Sequence, residues 1–207
     1  MRVAGVVAEF NPFHNGHKLL IDRAREALGP DSAVVCAMSG DFVQRGEAAV
    51  WSKFARAEAA ARCGADLVLE LPLPWALASA EGFARGGVGL LGAAGVIDAL
   101  SFGSESGNLS ALEKTAAVLD TPNDLLAVEY IRAAAKLGYI FDYTPVRREG
   151  STHDGAGSAS ELRALLRAGE SLAGRVPGEV WEVLRRADET GRGFVSPESL
   201  RTAYLSR

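Results

Sequence analysis

Phe10-Asn11-Pro12-Phe13-His14-Asn15-Gly16-His17 sets two histidines on either side of a glycine, directly after the apolar run Val3-Ala4-Gly5-Val6-Val7-Ala8. Side chains three apart share one face of a helical turn. Two ring N–H groups there can donate to phosphate oxygens as charge builds on them. Gly16 has no Cβ, so the backbone can approach a base or a phosphate closely. A helix starting at this point also turns free N–H groups and its positive dipole end toward an anion. The pair could instead ligate zinc. The only other histidine is His153, however, and neither cysteine stands at ligand spacing, which weighs against a metal. Turn or capping histidines without chemistry are the remaining alternative.

A second cluster, Ser158-Ala159-Ser160-Glu161-Leu162-Arg163, puts two hydroxyls ahead of a helix and an arginine one turn later. Taken alone, one serine is an N-cap and Arg163 a solvated charge. Gln44-Arg45-Gly46, with Lys53 and Arg56 on the following helix, adds positive charge that could handle pyrophosphate or an acyl acceptor. Glu70 and Glu105 could hold a magnesium-bound water or cap neighbouring helices.

These groups need elements to hold them. Apolar runs at residues 2–8, 32–38, 65–71, 97–102 and 139–146 predict five strands. Helical spacing predicts helices over 16–28, with Leu20, Ala24, Ala27 and Leu28 on the buried face, and from Ser52 to Arg62. Further helices are expected over 76–93, from a Ser110/Glu113 capping box to about Leu119, over 121–136 and over 160–168. Two more follow Pro177 and Ser196-Pro197. Such alternation implies an α/β fold: a Rossmann-like, doubly wound, parallel five-stranded sheet with helices on both faces and a short C-terminal helical tail. The expected division is a nucleotide-binding unit over 1–168 and a small helical extension over 169–207. In such sheets ligands bind beyond the carboxyl ends of the strands, where the polar stretches His14–His17, Ser39–Gly46, Glu70–Pro72, Gly103–Glu105 and Arg147–Gly150 fall.

The 207 residues, 48% hydrophobic and 23% charged, suit a globular chain and exclude a disordered one. A net charge of −4 disfavours broad nucleic-acid binding. Glu9 interrupts the first apolar run too early for a signal peptide, and Gly86–Ile97 is too short to span a bilayer. A soluble cytoplasmic protein with Cys36 and Cys63 reduced in the core is the expectation. The sequence sets no oligomeric state.

Together the His-Asn-Gly-His loop and the Ser-Ala-Ser-Glu-Leu-Arg stretch resemble the HIGH-type nucleotidyltransferase superfamily, in which two such motifs grip ATP from two sides. The resemblance narrows further. Glu9–His17, Met38–Glu47, Ala65–Pro72, Phe83–Gly86, Ser101–Glu105, Pro122–Tyr130 and Ser158–Arg163 are similar, in order, to the bacterial tRNA(Met) cytidine acetate ligase family. That resemblance implies activation of acetate by ATP, with magnesium, to acetyl-adenylate. The acetyl group then passes to N4 of the wobble cytidine in elongator tRNA(Met). It makes Val7, Ala8, Glu9, Phe10, Asn11, Pro12, Phe13, His14, Asn15, Gly16, His17, Lys18, Leu19 and Leu20 contacts of ATP, with Gly103, Asn123 and Arg148. It assigns His14, His17 and Arg163 to catalysis, and Ser158 and Ser160 to the nucleotide.

The chain departs from the family in three places. It passes almost directly from Leu119 to Pro122, where relatives carry a helical insertion. Thr152 precedes His153 where an aromatic residue is usual. The long carboxyl-terminal helical region associated with tRNA is expected to be reduced, and residues 161–207, with eight Arg against seven Asp or Glu, make a weak clamp for RNA. Two other activities therefore stand beside the ligase: an adenylyltransferase acting on a small phosphorylated or carboxylated metabolite, and a nucleotide-binding module without turnover. Intact His14, His17 and Arg163 weigh against the module.

Overall fold

Unbroken apolar runs make strands that must be covered on both faces, and five of them pair in parallel here. The computed structural model describes residues 1–114, 121–147 and 157–205. The strands are β1 (Val3–Ala8), β2 (Ala33–Ser39), β3 (Leu67–Leu71), β4 (Ala99–Ser104) and β5 (Asp142–Arg147), in the order β3-β2-β1-β4-β5. The chain winds outward through β2 and β3, then returns past β1 to β4 and β5. The switch point of the topology is therefore the crevice between β1 and β4. Register widens that crevice. β1 pairs with β2 along its whole length, from Val3↔Ala33 to Ala8↔Met38, but with β4 only at Ala4↔Ala99 and Gly5↔Leu100.

Alternation along β1 divides the core. Ala4 and Val6 face one layer with Leu20, Ile21 and Ala24 of α1 (Asn15–Leu28) and Ala59 of α2 (Lys53–Arg62). The same layer takes Leu162 of α7 (Ala159–Arg167) and Val180, Val183 and Leu184 of α8 (Gly178–Glu189). Val3 faces the other layer, with Phe83, Val88 and Leu91 of α4 (Ala80–Ala93) and Ala127, Val128 and Tyr130 of α6 (Pro122–Leu137). A Cβ on Gly87 would stand 2.5 Å from Val7 Cγ1, so only glycine lets α4 lie this close to β1. The remaining helices are α3 (Leu73–Ala76), α5 (Leu109–Lys114) and α9 (Pro197–Leu205).

Three local expectations change. The helix expected over 76–93 begins only at Ala80, because Ser79 leaves helical geometry and caps α4 by accepting from Gly82 N, while α3 is a separate short helix ending at Ala76. Ile21 rather than Ala27 completes the buried face of α1, since Ala27 lies one residue round toward solvent. Asn108 Oδ1, not Ser110, caps α5, accepting from Ala111 N at 3.1 Å. The stretch from 115 to 119 lies outside the described residues. Leu172 and Val176 join α8 in the core that also holds β1 and α1. Among the described residues no helix is long and apolar enough to cross a membrane.

Candidate active site

A cavity of about 620 Å³ opens at the β1/β4 crevice, within the usual range for small-molecule sites. Its β1 wall is Val7, Ala8, Glu9, Phe10 and Asn11, continued by His14, Gly16, His17, Leu19 and Leu20 of the first turns of α1. Gly103 on β4, Glu105 just after it, Asn123 on α6 and Arg147 on β5 line the opposite side. Ser158, Ser160 and Arg163 close it from α7.

The histidines are built into the start of α1. His14 is the N-cap, and its Nδ1 accepts from Gly16 N at 3.0 Å. His17 reaches back so that its Nδ1 accepts from His14 N at 3.3 Å, completing a capping box made of imidazoles. The ring centroids are 3.8 Å apart. Because both Nδ1 atoms are acceptors, the proton of each neutral ring sits on Nε2. The sequence-level picture of a free N–H at Gly16 is thereby corrected: the His14 ring takes it. The glycine is required by that ring, since a Cβ at residue 16 would fall 2.9 Å from His14 Cε1.

The loop ahead of the histidines is held from several sides. Phe10 is fully buried at φ 48°, a left-handed conformation costing a non-glycine residue roughly 1–3 kcal/mol. Packing against Phe13 and the edge of His17, with centroids 4.9 and 5.0 Å away, fixes it there. Asn11 Oδ1 accepts from Val50 N at 2.8 Å, and the Asn11 carbonyl accepts from Arg163 Nη1 at 2.7 Å. Arg163 Nη2 also donates to Ser160 Oγ at 3.1 Å, while Ser158 is the N-cap of α7 in a box with Glu161. The Ser158 hydroxyl is thus a cap, and Ser160 is the serine that braces the arginine.

Across the crevice a hydrogen-bonded acid network orders the β4 exit. Glu105 accepts from Asn123 Nδ2 through Oε1 and from Asp124 N through Oε2 at 3.1 Å. Asp124, buried at the start of α6, accepts from Ser104 Oγ and from Ser106 N at 3.1 Å. Burial opposes its charge, but these donors outweigh burial and hold its carboxyl below the ordinary aspartate range.

Several expected contacts lie elsewhere. Phe13 belongs to the core, Lys18 pairs with Asp22, and neither they nor Pro12 and Asn15 line the cavity. Arg148 and His153 lie outside the described residues; the neighbouring Arg147 does line the cavity. Lys53 pairs with Glu70 at 2.7 Å, away from the cavity wall. Arg56 is fully buried and donates to main-chain carbonyls of Trp51, Glu9, Ser39 and Gly40, so it cannot meet a substrate. Burial lowers its pKa to about 10. Of the β2 loop, Gln44 lines the cavity, its backbone N donating to Glu9 Oε1 at 2.7 Å.

Sequence reasoning assigned no role to the apolar wall of Phe83, Phe102, Leu126 and Tyr130. Each reads as core spacing, and only the parting of β1 from β4 exposes it to the cavity. Burial, reinforced by the Glu9 charge, pushes the Tyr130 phenol far above its usual range, leaving it a neutral hydroxyl. Among the described residues no group of three or more His, Cys, Asp or Glu side chains could hold a metal ion.

The sequence model of the family described as HIGH Nucleotidyl Transferase matches residues 1–121 and 111–207. The tRNA(Met) cytidine acetate ligase of Syntrophotalea carbinolica is 38% identical over 256 residues, covering 100% of this chain and 60% of the relative. The ligase of Acetivibrio thermocellus is 49% identical over 119 residues, 58% of this chain and 28% of its own. Among solved structures, Thermotoga maritima TmcAL bound with alpha-thio ATP matches with a TM-score of 0.87 at 36% identity, over 94% of this chain and 58% of that one. The chain spans about 60% of the length of the curated relatives it matches in full. By its α/β fold and this match along both halves of the sequence, the chain belongs to the HIGH nucleotidyltransferase family.

Proposed function

We propose that this chain uses ATP to activate a small carboxylic acid, acetate in the first instance, and passes the acyl group to N4 of the wobble cytidine of elongator tRNA(Met). The observation that carries the reading is the convergence of His14, His17 and Arg163 on the β1/β4 crevice. The names of the relatives, and the ATP analogue bound by the Thermotoga maritima protein, support the same substrates. A tRNA acceptor makes the cytoplasm its place of action.

A carboxylate oxygen attacks the α-phosphorus, and the bond to the bridging oxygen breaks as pyrophosphate leaves in line. The two Nε2–H groups donate to oxygens of the reacting phosphates, and the Arg163 guanidinium fixes the β1 loop beside them. Positioning and charge stabilisation suffice, with no covalent enzyme intermediate. The cytidine amine then attacks the acyl carbon, and AMP departs. Glu105 is committed to Asn123 and Asp124, so the described residues form no carboxylate cage for magnesium. The ion would arrive on the phosphates of the nucleotide. In this reading residues 1–168 supply the nucleotide site, while 169–207 brace α2 through α8, where Arg186 pairs with Glu58 and Arg62 with Glu182.

The test is ATP–pyrophosphate exchange with and without acetate, followed by addition of elongator tRNA(Met). Acetate-dependent exchange, then acetylated tRNA, is the expected result. Exchange with other acids alone would move the activity to a metabolite, and ATP binding without exchange would leave a non-catalytic module.

A further inference from the structure

The apolar wall of the cavity carries one polar side-chain atom, the hydroxyl of Tyr130 on α6. Tyr130 is only 4% exposed, its ring packed with Phe102 in the layer that α4 and α6 cover. Among the described residues nothing hydrogen-bonds to that hydroxyl. It is not one of the sealed orphan atoms either, which are Ser39 Oγ, Ser101 Oγ, Thr121 Oγ1 and Arg163 Nε. The phenol oxygen therefore keeps accessible surface, and the cavity is the space that Tyr130 lines. Buried phenols ordinarily find a partner, so an unpaired one facing a cavity points to a ligand. Burial keeps this hydroxyl protonated and able to donate. Arg56, bonded to the Glu9 carbonyl, offsets the Glu9 charge toward an incoming anion.

The two kinds of lining sort the two reactants. ATP is polar along its whole length, and polar side chains line the rest of the cavity, His14, His17 and Arg163 on one side and Asn123 and Arg147 on the other. Phe83, Phe102 and Leu126 around a single hydroxyl suit a short alkyl group that carries an acceptor. A phosphate or a purine edge pressed there would strand several polar atoms against hydrocarbon. Resting on the activation proposed above, we propose that this wall is the acid subsite. Tyr130 donates to one carboxylate oxygen, and the methyl group packs among Phe83, Phe102 and Leu126. The second oxygen is left to attack. Val7 packs into the α4/α6 layer and Ala8 into the α1 layer, so this wall and the histidines meet at the end of β1.

ATP–pyrophosphate exchange against acid concentration, with ATP binding followed separately by calorimetry, tests the assignment on variants whose thermal midpoints show a folded chain. Tyr130→Phe removes one oxygen and should raise the KM for acetate about 10- to 100-fold, with the Kd for ATP within about twofold of wild type. Leu126→Ala, at a half-buried position, draws the wall back. It should raise kcat/KM for butyrate relative to acetate about tenfold or more. An unchanged acetate KM in Tyr130→Phe would overturn the proposal. A loss carried by the Kd for ATP would also overturn it, giving the hydroxyl to the nucleotide, as would an unchanged acid preference in Leu126→Ala. Wild type that binds ATP yet exchanges with no acid would bring down the activation reading and this subsite with it, a result distinct from the other three.

Discussion

Arg163 donates through Nη1 to the carbonyl of Asn11 at 2.7 Å, joining α7 to the exit of β1 across 152 residues of sequence. One bond thus closes the cavity and braces the loop that presents His14 and His17. Lysine keeps the charge but not the planar fork that reaches Asn11 and Ser160 together. Arg163→Lys should lower the exchange rate about 100-fold with little change in the thermal midpoint, and Arg163→Ala about 1000-fold, the range for loss of a preorganised electrostatic group. Steady-state ATP–pyrophosphate exchange measures both.

Gly16 is fixed by the His14 ring rather than by the ligand alone. In Gly16→Ala the new methyl displaces the ring, and the Gly16 N–H loses its acceptor. A lost cap costs about 1 kcal/mol. A small fall in the denaturation midpoint should accompany a larger fall in exchange rate, about 10- to 100-fold, because the Nε2 proton moves with the ring.

Arg56 holds four carbonyls at the ends of β1 and β2 and the entry to α2. Arg56→Met leaves them buried without a donor, at about 1–3 kcal/mol for each group that water cannot reach. We expect about 3 kcal/mol of destabilisation in chemical denaturation. Arg56→Lys should recover part of it. A Met variant as stable as wild type would mean that the guanidinium does not organise the rim.

Cys36 is fully buried on β2, and burial pushes its thiol to about 12 from an ordinary 9.0. A group whose folded pKa is raised keeps its full contribution below the unfolded value. Above pH 9.0 the unfolded thiol ionises while the folded one stays neutral, so stability falls by up to about 1.4 kcal/mol per pH unit until pH reaches about 12. Denaturation midpoints at pH 8 and pH 10 should show about 1.4 kcal/mol less loss in Cys36→Ala than in wild type.

The sheet was legible because its strands are continuous apolar runs, and the meeting of His14, Gly16, His17 and Arg163 at one cavity because they are unusual in type and spacing. The break at Ser79 was not, because residues 76–93 keep helical spacing through a cap that only tertiary packing selects. Arg56 reads as one more surface charge on α2; its burial follows from the ends of β1 and β2 and the entry to α2 closing over it. Glu105 left two readings open at sequence level, cap or cation ligand. The structure shows it accepting from Asn123 and Asp124 in the first turn of α6, a partnership that residue type could not convey.

Attack of a carboxylate oxygen on the α-phosphorus is the central chemical claim, and oxygen transfer reads it directly. With ATP, magnesium, elongator tRNA(Met) and acetate labelled with oxygen-18 in both carboxylate positions, the AMP released should carry one labelled oxygen, by mass spectrometry. Label in inorganic phosphate with ADP as the other product, or AMP free of label, would contradict it.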